Sequence, residues 1–205
     1  MKRKLLSLAL ACLCLLSLLC GCGSRSTPPE LYEIYDEAVA LIEASFAVND
    51  ALLGHGLPVY EIGSEYAELH KLYADSDFAN YERVTPETPY RTIDDIKAAM
   101  AAVYSSDYCD SLYANLFDGF VSGSTLVRAQ YREDAKGLYL VTDYTPLVTE
   151  QRIYDYATMR IIEPSSLDYV NLEIESYLPG QPERLSVTIS LVLEEDGWRL
   201  DTPTY

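Results

Sequence analysis

The spacing of apolar residues changes along this 205-residue chain from a helical period to a strand period. In the first half, apolar side chains recur every three or four residues, which places them on one face of a helix. After Val127, apolar and polar residues alternate, as in strands with one buried and one solvated face. The pattern therefore predicts helices first and an antiparallel sheet second.

The first predicted helix is long and amphipathic. It starts at Thr27-Pro28-Pro29-Glu30, where a Thr cap, early prolines and a Glu three residues later are typical of a helix start. Gly54 is placed to end it. Its apolar stripe comprises Leu31, Ile34, Tyr35, Ala38, Leu41, Ile42, Phe46 and Leu53, and its outer face carries Glu30, Glu33, Glu37 and Glu43.

Shorter elements are predicted between Gly54 and Gly119. Residues 65–74 predict a short helix, and Tyr81 to Val84 a brief strand. Thr92 is the predicted cap of a further helix, and Ser105 or Ser106 starts one that runs through Phe117. The apolar stripe of the Thr92-capped helix is Ile93, Ile96, Met100 and Val103.

Six strands are predicted after Val127. In the last of them, Trp198 and Leu200 share the face expected to be buried, and Arg199 lies on the solvated face, where its replacement should be mild. The class is therefore α+β, with N-terminal helices packed on one face of a curved antiparallel β-sheet of about five to six strands. One domain is expected over residues 30–205, helical over 30–118 and sheet over 127–205. The strands are Val127–Glu133, Gly137–Asp143, Tyr156–Glu163, Tyr169–Leu178, Arg184–Glu194 and Trp198–Thr202.

The N-terminus has the pattern of an export signal. Met1-Lys2-Arg3-Lys4 is basic, and the apolar run that follows, Leu5 to Cys20, is short for a bilayer span. Leu19-Cys20-Gly21-Cys22 resembles the bacterial lipobox, which implies that the Cys22 thiol receives a diacylglycerol and that cleavage precedes it. We expect residues 1–21 to be a lipoprotein signal peptide and residues 22–29 the lipidated cysteine and tether. The protein would then be lipid-anchored on the extracytoplasmic face of the cell membrane. The alternative is an ordinary signal peptide or a membrane anchor.

The net charge narrows the classes of possible partner, and the cysteine content indicates the role of Cys109. The net charge is −17, and removal of the predicted signal with its three cations and no acids makes it −20. Such a charge opposes binding to nucleic acid and to anionic headgroups, and it suits either a solvated surface or a basic partner. Of five cysteines, only Cys109 stays unmodified in the predicted mature chain, and its apolar neighbours indicate a core thiol.

No motif predicts catalysis, a metal or a cofactor. His55 and His70 are the only histidines and lack a zinc-ligand spacing. Asp75-Ser76-Asp77 resembles part of a calcium loop, but the Gly and distal Glu of an EF-hand are missing. No Gly-x-Ser-x-Gly motif occurs. We therefore expect no enzyme activity.

Tyrosine content is unusual, with 18 Tyr against 4 Phe and one Trp. Tyr rings give binding surfaces apolar area with a polar edge, and they also suit strands and core borders. A groove between helices and sheet is the expected location for binding. Its candidate residues are Tyr104, Tyr108, Tyr139 and Tyr154.

Four segments carry a family resemblance: Tyr90–Lys97, Val103–Tyr108, Gly137–Leu140 and Asp196–Tyr205. Together they resemble uncharacterised lipoproteins of gut clostridia and related Firmicutes. More distantly they are similar to the secreted DL-endopeptidase inhibitors of the IseA type, which restrain cell-wall hydrolases. A helix packed on a curved antiparallel sheet also suits the NTF2-like fold, which commonly encloses a small-ligand pocket.

Three function classes follow from these observations. The first is a membrane-anchored extracytoplasmic lipoprotein with a non-enzymatic binding role that restrains a cell-wall hydrolase, which a convex or grooved acidic surface with no cavity would favour. It would contact the lipid bilayer through acylated Cys22, bind no nucleic acid and be monomeric. The second is an NTF2-like lipoprotein that binds a small ligand or glycan, which a deep cavity lined by Tyr and apolar residues would favour. The third is a peptidoglycan-acting enzyme, which a buried carboxylate pair or a Cys109–His contact would favour.

Overall fold

The computed structural model describes residues 27–60, 79–148, 150–181 and 183–205. It confirms the α+β class. The predicted helix over 65–74, His70, Asp75-Ser76-Asp77 and the N-terminal segment with Cys22 lie outside the described residues.

The described helices come before most of the strands, as predicted. The helices are α1 (Leu31–Leu52), α2 (Ile93–Ala101) and α3 (Ser106–Tyr113), and α3 continues into a π-helical turn, Ala114–Asp118. The strands are β1 (Tyr81–Arg83), β2 (Phe120–Ser122), β3 (Thr125–Val127), β4 (Tyr131–Asp134), β5 (Gly137–Val141), β6 (Ile153–Ile162), β7 (Tyr169–Tyr177), β8 (Leu185–Glu194) and β9 (Gly197–Leu200).

The strands are divided among three antiparallel sheets, whereas the sequence predicted one sheet of five to six strands. Strands β6 to β9 form a four-stranded sheet in chain order, β1-β5-β4 form a three-stranded sheet, and β2 pairs with β3 alone. The sheets are separate because β5 pairs with β1 along one edge and with β4 along the other, which leaves no free edge of β5 for β6. Alternation predicts strands, but it does not predict which strands pair.

Local capping chemistry decides where the helices begin. Thr92 is an N-cap as predicted, since its Oγ1 accepts from the Asp95 N–H at 3.1 Å. Of the two serines predicted to start α3, Ser105 is the N-cap, and its Oγ accepts from the Tyr108 N–H at 3.1 Å. The predicted Thr27 cap is wrong. Glu30 is the cap of α1, and its N–H donates to the Glu33 carboxylate at 2.8 Å.

The core lies between α1 and the four-stranded sheet. Trp198 is 6% exposed and Leu200 is fully buried, which confirms the predicted inner face of β9. The predicted solvated position of Arg199 is wrong, since its side chain is only 12% exposed. Its guanidinium donates to the Ala101 carbonyl at 2.9 Å, because the end of α2 covers this side of β9.

Candidate functional site

A chain of buried hydrogen bonds fixes the C-terminal residues to α1. The Tyr104 hydroxyl donates to Asn49 Oδ1 at 2.6 Å, and Asn49 Nδ2 donates to Thr204 Oγ1 at 2.9 Å. Ser45 Oγ donates to the Ile42 carbonyl at 2.6 Å, so its single proton is used. Thr204 Oγ1, which is 2.5 Å from Ser45 Oγ, is therefore the donor in that contact.

These bonds place Tyr205 between two cavities that open to solvent. We call the first the helix-end cavity. It has a volume of about 440 Å³ and is lined by Phe46, Ala47, Asn49, Asp50, Gly54, His55, Val148, Glu150, Gln151, Thr204 and Tyr205. We call the second the hairpin groove. It has a volume of about 480 Å³ and is lined by Leu53, Leu112, Asn115, Leu116, Leu126, Val127, Arg128, Gln130, Val141, Asp143, Tyr144, Thr145, Leu147 and Tyr205.

The loop from Tyr144 to Val148, which contributes to both cavities, is held against the end of α1. The Leu147 and Val148 N–H groups donate to the Leu53 carbonyl at 2.8 and 3.0 Å. The Tyr144 hydroxyl donates to the Gly54 carbonyl at 3.0 Å. These hydrogen bonds fix the loop against α1, so it forms a defined wall of both cavities.

Negative charge dominates the helix-end cavity. Asp50 Oδ1 lies 3.0 Å from His55 Nδ1 and also accepts from the His55 backbone N–H at 3.3 Å. Glu150 is exposed and makes no ion pair with another described residue. The last turn of α1 carries no basic side chain, and the negative end of the helix dipole adds to the negative potential there.

Apolar side chains dominate the hairpin groove. Leu126 is 63% exposed and Leu147 is 77% exposed, both on its walls. The charged residues among its walls are Arg128 and Asp143, which pair with each other at 3.4 Å.

The β2–β3 hairpin forms one side of this groove and is itself uncharged. Residues 119–127 contain no charged side chain, and Phe120 and Val121 are 40% and 70% exposed. The hairpin follows the π-helical turn, a conformation often found at functional sites. Gly119 joins the two with φ of 69°, and a Cβ there would lie 2.8 Å from the Val127 carbonyl oxygen. A larger residue at this position would therefore displace the hairpin.

The four predicted binding tyrosines do not form one exposed surface. Tyr104 and Tyr108 are in contact, with ring centroids 4.7 Å apart. Tyr154 stacks on Phe46, a wall of the helix-end cavity, at 6.2 Å.

Tyr139 lies apart from the other three predicted binding tyrosines. It belongs to a second apolar cluster with Tyr81 and Val141, and its hydroxyl donates to Asp134 at 3.1 Å. Burial raises the pKa of Tyr104, and it raises that of Tyr139 to about 12. Tyr104, Tyr139 and Tyr154 are at most 8% exposed, so these rings support the core, and their predicted role in binding is untested.

Sequence reasoning missed the residues that do line the cavities. Asp50, His55, Leu126, Leu147 and Tyr205 come from loops and element ends, where no periodicity marks them. No distinctive signal in the sequence marked them, because the uncharged run 119–127 that contains Leu126 is no longer than the uncharged run 98–106.

Two observations bear on catalysis. Cys109 is 2% exposed, its Sγ lies 3.9 Å from the Tyr104 carbonyl oxygen, and burial raises its pKa to about 11. Among residues 27–60, 79–148, 150–181 and 183–205, no Asp or Glu is buried, no hydrogen bond joins Cys109 to a histidine, and no cluster of three His, Cys, Asp or Glu could hold a metal. The absence of enzyme activity stays a prediction.

No protein-family model, curated protein or solved structure matches this chain. The resemblances to clostridial lipoproteins, to IseA-type inhibitors and to the NTF2-like fold therefore stay predictions. In the part of the chain that the structure describes, no helix combines the length and apolar character needed to cross a membrane.

Proposed function

We propose that this protein is a lipid-anchored extracytoplasmic binding protein without enzyme activity, and that it binds its partner at the two cavities beside Tyr205. The observation that carries this proposal is their arrangement. Both have volumes typical of ligand sites, they share Tyr205, and the hairpin groove exposes the large apolar side chains Leu126 and Leu147.

A protein partner is favoured by the exposed hairpin. Val121, Leu126 and Leu147 are each more than 60% exposed, and contiguous exposed apolar surface is typical of interaction sites. Truncating side chains in the buried centre of an interface usually costs the most affinity, so these three are the expected anchors. Restraint of a cell-wall hydrolase is the specific form of this proposal, and Cys22 would hold the domain at the membrane.

A second candidate, a small-ligand or glycan-binding lipoprotein, is favoured by Tyr144 and Tyr205. Both line the hairpin groove, where aromatic rings suit contact with a sugar or an apolar ligand, although the Tyr144 hydroxyl already donates to the Gly54 carbonyl. A ligand of this kind would fill the groove without covering the outer surface of the hairpin.

Site-specific photocrosslinking in the producing cell tests the proposal. A photoreactive phenylalanine analogue at Leu147, 77% exposed in the groove, should form a covalent adduct with a protein partner. The same analogue at Tyr32, 82% exposed near the start of α1, is the control and should not. An adduct of small mass at Leu147 would favour the second candidate. No adduct at Leu147, or identical adducts at both positions, would refute the binding site.

If the partner is a cell-wall hydrolase, this protein must also inhibit it. The purified protein should slow the release of wall fragments by the crosslinked enzyme, and Leu147→Asp should remove this effect. Inhibition that survives Leu147→Asp would show that the groove is not the inhibitory surface.

A further inference from the structure

We propose that this site recognises an extended segment of its partner in which a large apolar side chain stands next to a Lys or Arg. The apolar side chain enters the hairpin groove and the cation enters the helix-end cavity. This inference rests on the proposed function and adds to it the chemistry of the partner.

The hairpin groove supplies the apolar half of the site. Its walls include Leu53, Leu112 and Leu116 as well as the exposed Leu126 and Leu147, so a buried aromatic or aliphatic side chain meets apolar contacts on several sides. The one cation among its walls, Arg128, is already paired with Asp143. An acidic side chain from the partner therefore finds no unpaired positive charge in the groove.

The helix-end cavity supplies the cation half. Asp50 and Glu150 both line it, and both are exposed. The C-terminal end of the 22-residue α1 adds negative potential, with no basic residue in its last turn. The Asp50 carboxylate already contacts His55 Nδ1 at 3.0 Å, so a cation from the partner would share Asp50 with His55 or replace that contact, whereas Glu150 makes no ion pair with another described residue. A Lys or Arg side chain is the complement of this surface.

Tyr205 sets the spacing between the two halves. It lines both cavities and is 42% exposed, so the two cavities adjoin at this one residue. The two must therefore be close neighbours in the partner's chain. An extended strand places successive side chains on opposite sides and so meets this requirement.

The net charge of the chain agrees with a basic partner. At −17, the protein attracts basic proteins over long range and repels a second copy of itself. A basic protein is therefore the occupant that the charge favours over a homodimer.

Fluorescent peptides test this inference with the full chain in detergent. Four 12-residue peptides of Gly and Ser carry Phe-Lys-Phe-Lys, Phe-Glu-Phe-Glu, Ser-Lys-Ser-Lys or Phe-Ser-Phe-Ser at their centre, and binding is followed by anisotropy. The Phe-Lys peptide should bind about tenfold more tightly than each of the other three, because it alone satisfies both cavities. Equal binding of the Phe-Lys and Phe-Glu peptides, or no binding of any, would overturn the inference.

Variants locate the effect. The double variant Asp50→Asn, Glu150→Gln should weaken the Phe-Lys peptide about tenfold and leave the Phe-Ser peptide unchanged, whereas Leu147→Asp should weaken both. The double variant Glu183→Gln, Glu195→Gln removes the same two charges from exposed acids in the β7–β8 and β8–β9 connections, so it is the matched control and should change neither. An equal loss from the control would show that net charge alone attracts the peptide. Unchanged melting temperatures verify that each variant is folded.

The two proposals fail in different ways. If Leu147 crosslinks a protein in the cell but the peptides show no preference for Lys, the proposed binding site is supported and the proposed basic segment of the partner is wrong. If Leu147 crosslinks nothing, the binding site itself is wrong.

Discussion

Replacing Thr204 with Val tests the hydrogen-bond chain that supports both cavities. Val has nearly the shape of Thr, so Thr204→Val exchanges a hydroxyl for a methyl group without opening a cavity. Thr204 is 1% exposed, and its hydroxyl accepts from Asn49 Nδ2 at 2.9 Å and contacts Ser45 Oγ at 2.5 Å. Both contacts are lost together in the variant.

The size of the effect follows from what each partner loses. Asn49 is 6% exposed and its amide loses the acceptor to which it donates, and a buried polar group left unpaired costs about 1–3 kcal/mol. Ser45 keeps its donation to the Ile42 carbonyl and loses only a donor to its oxygen, so its cost is smaller. We expect a loss of about 2–3 kcal/mol from the free energy of unfolding, which is large for a single domain.

Urea denaturation of the purified protein, followed by fluorescence, measures this loss. Trp198 is the only tryptophan and is 6% exposed, so its emission should shift to longer wavelength on unfolding. Thr188→Val, at an exposed position on β8, is the matched control and should stay within about 0.5 kcal/mol of the wild type. If Thr204→Val is as stable as this control, the hydrogen-bond chain does not support the domain in solution.

Four further predictions concern single residues. Trp198→Ala should lower the free energy of unfolding by about 3–5 kcal/mol because it removes a buried aromatic ring. Arg199→Ala should lower it by about 1.5–3 kcal/mol because the Arg199 guanidinium donates to the Ala101 carbonyl. Urea denaturation measures both losses, and a loss below about 0.5 kcal/mol for Arg199→Ala would contradict a supporting role for this hydrogen bond. Cys109 should react slowly with iodoacetamide in the native protein at pH 8, since its pKa is raised to about 11 and the unreactive thiol predominates below that pH; labelling as fast as in urea would show an exposed thiol. Cys22→Ala should abolish incorporation of an alkyne fatty acid, and undiminished label would refute lipidation at Cys22.

Elements governed by neighbouring residues were predictable from the sequence. The stripe from Leu31 to Leu53 predicted α1, which spans Leu31–Leu52, and the caps Thr92 and Ser105 stand where their hydroxyls suggested. Periodicity and capping act over three or four residues, so the sequence carries them directly.

The candidate site was predicted only in part. A groove was expected among tyrosines, but Tyr104, Tyr139 and Tyr154 are core side chains, and the cavity walls combine residues of α1, α3 and β3 with loop residues. Composition shows that the chain is rich in Tyr. It does not predict which rings are buried, because burial depends on the elements that pack over each ring.

By itself, the sequence determined the α+β class, the presence and apolar stripe of α1 and the buried face of β9, because each depends on the local order of apolar and polar residues. Only the tertiary structure decided that Tyr81 pairs with Val141, that Ser45 meets Thr204, and that the end of α2 covers Arg199. These contacts join residues far apart in the chain, and their free energy depends on the packing of whole elements. The two cavities result from that packing, since their walls form only when α1, the β2–β3 hairpin and the C-terminal residues pack together.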